Sequence, residues 1–313
     1  MARPEGTQRA DDVAFEPDDT EPLAREHFAL ITRLSRDLAQ AAEEMTAQEA
    51  RYTVDTYYQL QRNRIALQGR VRAASESSEP NRCFRFIAEG QEIVEANCRL
   101  ALARYARKQA AGRWALSVVG IGPVLAAGLL AHTHVEHLST VGHLWRFAGL
   151  DPTVTWEKGE RRPWNAQLKT LCWKIGESFV KVQYREGDVY GHVYAARKRL
   201  EIERNEAGLF AEQAAHMLQT MRFHDDTQAK AHYLNGRLPP AHIHARSKRY
   251  AVKLFLSAWH TVVFWIEHGE LPPRPYVIEQ LGHVDYYGPP GIKEPFPALY
   301  QQLREQRATF LDE

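Results

Sequence analysis

The stretch from Leu116 to Leu130, LSVVGIGPVLAAGLL, constrains the fold of this chain more than any other. It sets a Gly-Ile-Gly-Pro turn between two short apolar segments. Gly120 and Gly122 carry no Cβ, so the backbone can turn tightly there and approach another surface, and Pro123 pre-sets the first turn of the following helix. The pattern predicts a helix-hairpin-helix. Around Gly120, Ile121, Gly122 and Val124 the backbone amides would then border a concavity suited to a phosphate oxygen. Such a contact grips nucleic-acid backbone without reading bases. The uncharged run from Trp114 to Ala131 is close to the ~18 residues that suggest a membrane span. Two glycines and a proline in its middle would break the hydrogen bonding that lipid demands, so no membrane contact is expected.

Upstream, residues 1–20 are acidic and poor in large apolar groups, which predicts a disordered tail. They also lack the apolar core of a secretory signal. From residue 21 to 111 the spacing predicts a long helical arm. Ile31, Leu34, Leu38, Ala41 and Met45 recur at intervals of three and four, and the seam continues less cleanly through Tyr52, Tyr58, Ile65 and Val71. Two readings fit: a helix packed on its own domain, or a coiled coil that makes a homodimer. A second helix, Phe84 to Ala111, ends in a basic run. No carboxylate lies between Glu95 and Glu136, while Arg99, Arg104, Arg107, Lys108 and Arg113 lead towards the hairpin. Positive charge is favoured at a helix C-terminus in any case, so a solvated end and a phosphate patch both remain open.

Downstream, residues 112–270 form the expected hairpin-containing helical domain, with an insertion near 184–236. His132, His134 and His137 are close in sequence, but no cysteine or other ligand cluster joins them, and neither a metal nor any other cofactor is expected. Cys83, Cys98 and Cys172 have no C-x-x-C spacing, which argues against a disulfide framework and fits a cytoplasmic setting. Val141 to Ala148 reads as a short helix ended by Gly149, and Pro163 to Val182 as another. Lys158, Arg161, Arg162, Lys169 and Lys174 make this second region basic, either as a solvated loop or as a nucleic-acid contact. Tyr190 to Met221 is helical with a bend at Gly208, and Pro239-Pro240 opens a long helix carrying Arg246, Lys248, Arg249 and Lys253. Residues 271–313 read as a Pro-rich wrap and a last helix. No alternating pattern extends beyond a few residues, so the predicted fold is all-α. Formal net charge is only +1, so any nucleic-acid contact depends on where the cations lie.

The order G-I-G-P-V-L-A-A-G-L-L-A, then L-W-R-F-A-G-L-D-P, then a basic loop and a helix beginning near Gln167-Leu168-Lys169, resembles the C-terminal domain of insertion-sequence transposases of the IS-one-ten type. The similarity covers about Arg113 to Val182. It implies DNA recombination, in studied cases with a structured RNA, by members that add a RuvC-like domain with acidic metal-binding residues and a nucleophilic serine in the loop. This chain departs from both catalytic features. Its N-terminal third reads as helix, and the loop carries Thr155-Trp156-Glu157-Lys158-Gly159 where the family places serine. Thr155 is a crowded nucleophile with no adjacent base, so no catalytic residue is assigned. The residues from Pro239 onward are similar to extensions of short transposase-like proteins without the nuclease domain.

The sequence thus predicts a DNA-binding protein of transposase descent that does not cut. Structured RNA is a further expected partner. Two alternatives stand beside it: an active recombinase with an unrecognised nucleophile or a borrowed nuclease domain, and a self-associating helical scaffold.

Overall fold

Every regular element among the described residues is an α-helix, as the spacing predicts. The computed structural model describes residues 34–77, 82–133, 138–224, 227–273 and 288–290. In chain order the helices are α1 (Arg36–Glu43), α2 (Ala47–Ser77), α3 (Arg82–Lys108), α4 (Ala110–Ser117), α5 (Pro123–His132) and α6 (Val141–Phe147). They continue as α7 (Ala166–Val182), α8 (Tyr190–Glu206), α9 (Ala211–Thr220), α10 (Gln228–Leu234) and α11 (Pro240–His268). The tail, Ile31, His134, His137, most of the Pro-rich segment and the last helix lie outside the described residues. None of the described helices is long and apolar enough to cross a membrane.

The heptad-like seam does not run through one continuous helix. Ser35 caps α1, its Oγ accepting from the Leu38 amide, and α1 ends at Glu43. The chain restarts at α2 behind a reciprocal cap. Thr46 N donates to Glu49 Oε2 at 2.7 Å, and Glu49 N donates to Thr46 Oγ1 at 3.2 Å. This box satisfies two amides that a helix start leaves unpartnered, and the local signal overrides the apolar repeat. As a result Leu38, Tyr52 and Ile65 are exposed, while Ala42, Ala50 and Val54 are buried.

Helices α2 and α3 fold back on each other, clamped part-way by Arg64 and Glu95. The Arg64 Nε donates to Glu95 Oε2 at 2.5 Å and its Nη2 to Oε1 at 3.2 Å. Glu95 is buried, so deleting either partner would strand a charge with little water around it. The base of this long hairpin contributes Ala50, Val54, Leu102, Tyr105 and Ala106 to the main core. There Arg51 Nη1 donates to the Ala131 carbonyl at 2.8 Å, fastening α2 to the far end of α5.

The helix expected from Phe84 to Ala111 breaks at Gln109. Gly112 lies so near the Ala106 carbonyl that a Cβ there would come within 2.0 Å of the oxygen. Arg113 Nη1 then donates to the carbonyls of Arg107 and Lys108, satisfying the last turn of α3. After the Gly-Ile-Gly turn, α5 is buried on all sides from Val124 to His132. Each fully buried leucine or valine of that helix contributes roughly 1.5–3 kcal/mol. Against it pack α7 and, beyond, α11, where Phe179, Tyr190 and Phe255 meet edge and face. Gly176 lets α7 and α11 approach closely, its missing Cβ facing Val252 and Lys248 at 3.3 and 3.4 Å. A smaller core of Phe210, Ala214, Tyr233, Leu238 and Ile243 joins α9, α10 and the start of α11.

Candidate nucleic-acid interface

The Gly-Ile-Gly turn has the hairpin geometry that its residues predict. Gly120 sits at φ +99°, where a side chain would be strained, and an added Cβ would lie 3.1 Å from both Phe179 and Val182. Ile121 N donates to Val118 O at 2.9 Å, and Ser178 Oγ donates to Gly120 O, tying the turn to the C-terminal end of α7. The amides of Gly122, Val124 and Leu125 make no hydrogen bond among the described residues. Gly122 itself is unstrained, with nothing within 4 Å of an added Cβ. Ile121 and Val124 are buried, so any ligand here would meet backbone. The exposed cations at this end are Lys181 and Arg185, not the arginines that precede the hairpin in sequence.

Those preceding cations lie elsewhere. Gln109 and Ala110, at the start of α4, line one cavity with Leu130 and Thr133, at the far end of α5. Arg107 and Lys108 are therefore about 12 Å or more from the turn, one eight-residue helix away. Lys108 faces α1, sharing a cavity with Glu43 and Glu44. Arg113 is occupied by the α3 carbonyls. His132 is buried with its Nδ1 3.5 Å from Asn165 Nδ2, and no group of metal-ligating side chains forms among the described residues.

The opposite end of α7 gathers what the sequence left apart. Asn165 caps this helix through the Leu168 amide, and its own amide donates to Phe147 O at 2.9 Å, which binds the basic loop to α6. Lys169 Nζ stands 4.0 Å from the Trp164 ring centre, Arg162 lies 5.0 Å from that of Trp156, and the two indoles meet edge to face at 6.4 Å. From α11, Lys253 Nζ lies 4.0 Å from the Trp145 ring, whose Nε1 donates to the Lys253 carbonyl. Desolvation holds the Lys169 ammonium below its ordinary pKa, with Arg249 and Arg162 pushing the same way. Lys253 is lowered too, by desolvation and Arg249 against the opposing pull of Asp151. Among the described residues no salt bridge neutralises Arg162, Lys169 or Arg249. Lys158 and Arg161 are exposed on the same loop.

Not every cation of α11 is available. Glu201, wholly buried, takes Arg197 from its own helix and Arg246 Nε at 2.9 Å. Lys248 is bound to Glu177 of α7. That leaves Arg249 and Lys253 facing the loop. The grouping of Trp145, Trp156 and Trp164 with these cations was not read from the sequence, although their crowding beside basic residues was a signal. Along α7, Lys169 and Lys181 stand about 18 Å apart at 1.5 Å per residue. Between them Lys174 lies 3.7 Å from the Tyr58 ring, its pKa lowered by desolvation and by Arg62 and Lys181. Lys174 and Lys181, seven residues apart, share the side of α7 that faces α2, while Lys169, about 140° round the helix from Lys174, faces Trp164.

Thr155 is exposed and forms no side-chain hydrogen bond among the described residues. The chain matches no protein-family profile, no curated protein and no solved structure.

Proposed function

We propose that this chain is a DNA-binding protein that holds phosphates along α7, from the tryptophan-lined cation cluster to the Gly-Ile-Gly turn. One observation carries the reading. Arg162, Lys169, Arg249 and Lys253 come from three separate segments and converge at the cost of lowered lysine pKa values. Desolvating and crowding these cations, with only Asp151 pulling the other way on Lys253, is unfavourable alone, and an anionic backbone offsets it. The hairpin amides supply a second anion contact at the other end of the same helix. The transposase-like order of motifs is the ground for assigning the protein to transposase descent and DNA as the partner. With no activated nucleophile beside Thr155, the binding is assigned without strand cleavage.

The test is a fluorescence-anisotropy titration of the full chain with duplex DNA at several salt concentrations. Neutralising about five phosphates gives a slope of log K against log salt near −4 to −5, and about a hundred- to thousand-fold loss between 50 and 200 mM salt. An affinity that ignores salt would refute the reading. Nicking of supercoiled DNA in Mg²⁺ would restore the recombinase alternative.

A further inference from the structure

Trp173 stands on the outer face of α7 and is 59 % exposed. The other tryptophans, Trp114, Trp145, Trp156, Trp164, Trp259 and Trp265, are buried or half-buried. Its indole leaves in water much of the 150–250 Å² that an aromatic side chain ordinarily buries. The surroundings are cationic and not apolar. Lys169 lies one turn before it, Lys174 next to it, and Lys248 Nζ 5.5 Å from its ring centre. Arg62 of α2 and Lys181 add to the field around Lys174. Among the described residues two carboxylates lie at this surface: Glu177, a turn further on, pairs with Lys248, and Asp55 of α2 accepts from Gln167 Nε2 at 2.8 Å. Gln167 and Thr170 complete the outer surface of this stretch, so no wide apolar patch of the sort that docks a protein or enters lipid surrounds the ring.

We propose that Trp173 is a stacking platform for an unpaired nucleobase, with Lys169 and Lys174 on the phosphates that flank it. The inference rests on the reading of this face as a nucleic-acid surface and specifies the strand it takes. Bases inside a duplex already stack on their neighbours and cannot offer a face to an indole. A single strand, a loop or an opened junction can, and stacking tolerates any base. The ligand class is therefore single-stranded or locally unpaired nucleic acid, with duplex held only through its backbone.

The experiment compares the parent, Trp173→Ala, Trp173→Phe and Lys169→Glu, each as the full chain, binding a labelled oligothymidylate of about 20 nucleotides and a duplex of equal length. Because the ring is exposed and alanine favours helix, Trp173→Ala should melt with the parent. The expected result is about a tenfold loss for the single strand in Trp173→Ala, near-parent affinity in Trp173→Phe, and unchanged duplex binding. Equal single-strand affinity in parent and Trp173→Ala, with Lys169→Glu weakening both ligands, overturns the platform and leaves the backbone reading standing. If the parent binds neither nucleic acid, both fail. Binding to vesicles of anionic phospholipid that is lost in Trp173→Ala, with no oligonucleotide binding, would show a lipid surface and overturn the proposal as well.

Discussion

The two ends of α7 are built in opposite ways. At the C-terminal end, Ser178, Phe179 and Val182 hold a turn whose form is written in consecutive residues, Gly120 to Pro123. At the N-terminal end, a cap on Asn165 brings together Trp164, Arg162 and Lys169 from one stretch with Trp145 of α6 and Arg249 and Lys253 of α11. The first end has backbone amides and few cations. The second has cations and rings around a helix start that Asn165 caps. A motif that looks self-sufficient in sequence thus has only Lys181 and Arg185 beside it, and the larger cation cluster sits a helix length away.

This contrast can be broken by experiment. Reversing charge at the cluster, in Lys169→Glu with Arg249→Glu, should have the largest effect: about a hundredfold loss of duplex affinity and a shallower salt slope, with the fold kept and a loss of about 1 kcal/mol from the Lys169 contact with Trp164, since neither side chain is in an ion pair among the described residues. If the hairpin dominates instead, the double variant will bind within a few-fold of the parent. Next come the two glycines, which should behave unequally in urea unfolding. Gly120→Ala forces a side chain to φ +99° against Phe179 and Val182 and should cost about 2 kcal/mol. Gly122→Ala, with open space around its Cβ, should stay within about 1 kcal/mol. Equal losses would show that the turn is not held as described.

A smaller effect separates grip from packing. Gly122→Asp is tolerated at the start of α5, where aspartate is a good cap, yet it places a carboxylate where a phosphate would sit. A three- to tenfold loss of affinity is expected if the turn binds backbone, and none if it is only a corner. Gly120→Asp would not report cleanly, because its strain unfolds the turn itself. The smallest effect is in pH. Lys169, Lys174 and Lys253 have lowered pKa values, so they lose charge at lower pH than ordinary lysines near 10.5. Affinity should fall about two- to threefold as pH rises from neutrality towards the ordinary lysine pKa near 10.5, and Lys169→Arg, Lys174→Arg and Lys253→Arg together should remove that fall, since arginine stays charged. A hairpin-dominated site would show neither change.

Much of the fold was legible because its signals are local. Gly149 closes α6 and Pro239-Pro240 opens α11, each through a backbone preference that needs no distant partner, and the bend expected at Gly208 is a full break between α8 and α9. Two local signals were read less well. The Thr46-to-Glu49 box divides a helix that apolar spacing alone joins, and α3 breaks from α4 at Gln109, where Gly112 permits the close approach to the Ala106 carbonyl. The site was less legible. Arg246 and Arg249 are three residues apart and chemically alike, yet one is spent on buried Glu201 and the other faces the loop. Nothing in their spacing ranks them, because the carboxylate that makes the difference comes from α8.

The sequence by itself determined that the regular elements of the described residues are all α-helical and that Gly-Ile-Gly-Pro turns tightly between α4 and α5. Periodicity and the φ preferences of glycine and proline act over a few residues. Only the tertiary structure decided which cations are free. Long-range packing, through Gly176 between α7 and α11 and through the Asn165 cap, chooses which charges meet carboxylates and which meet indoles. The same packing leaves Trp173 on the outer face beside them.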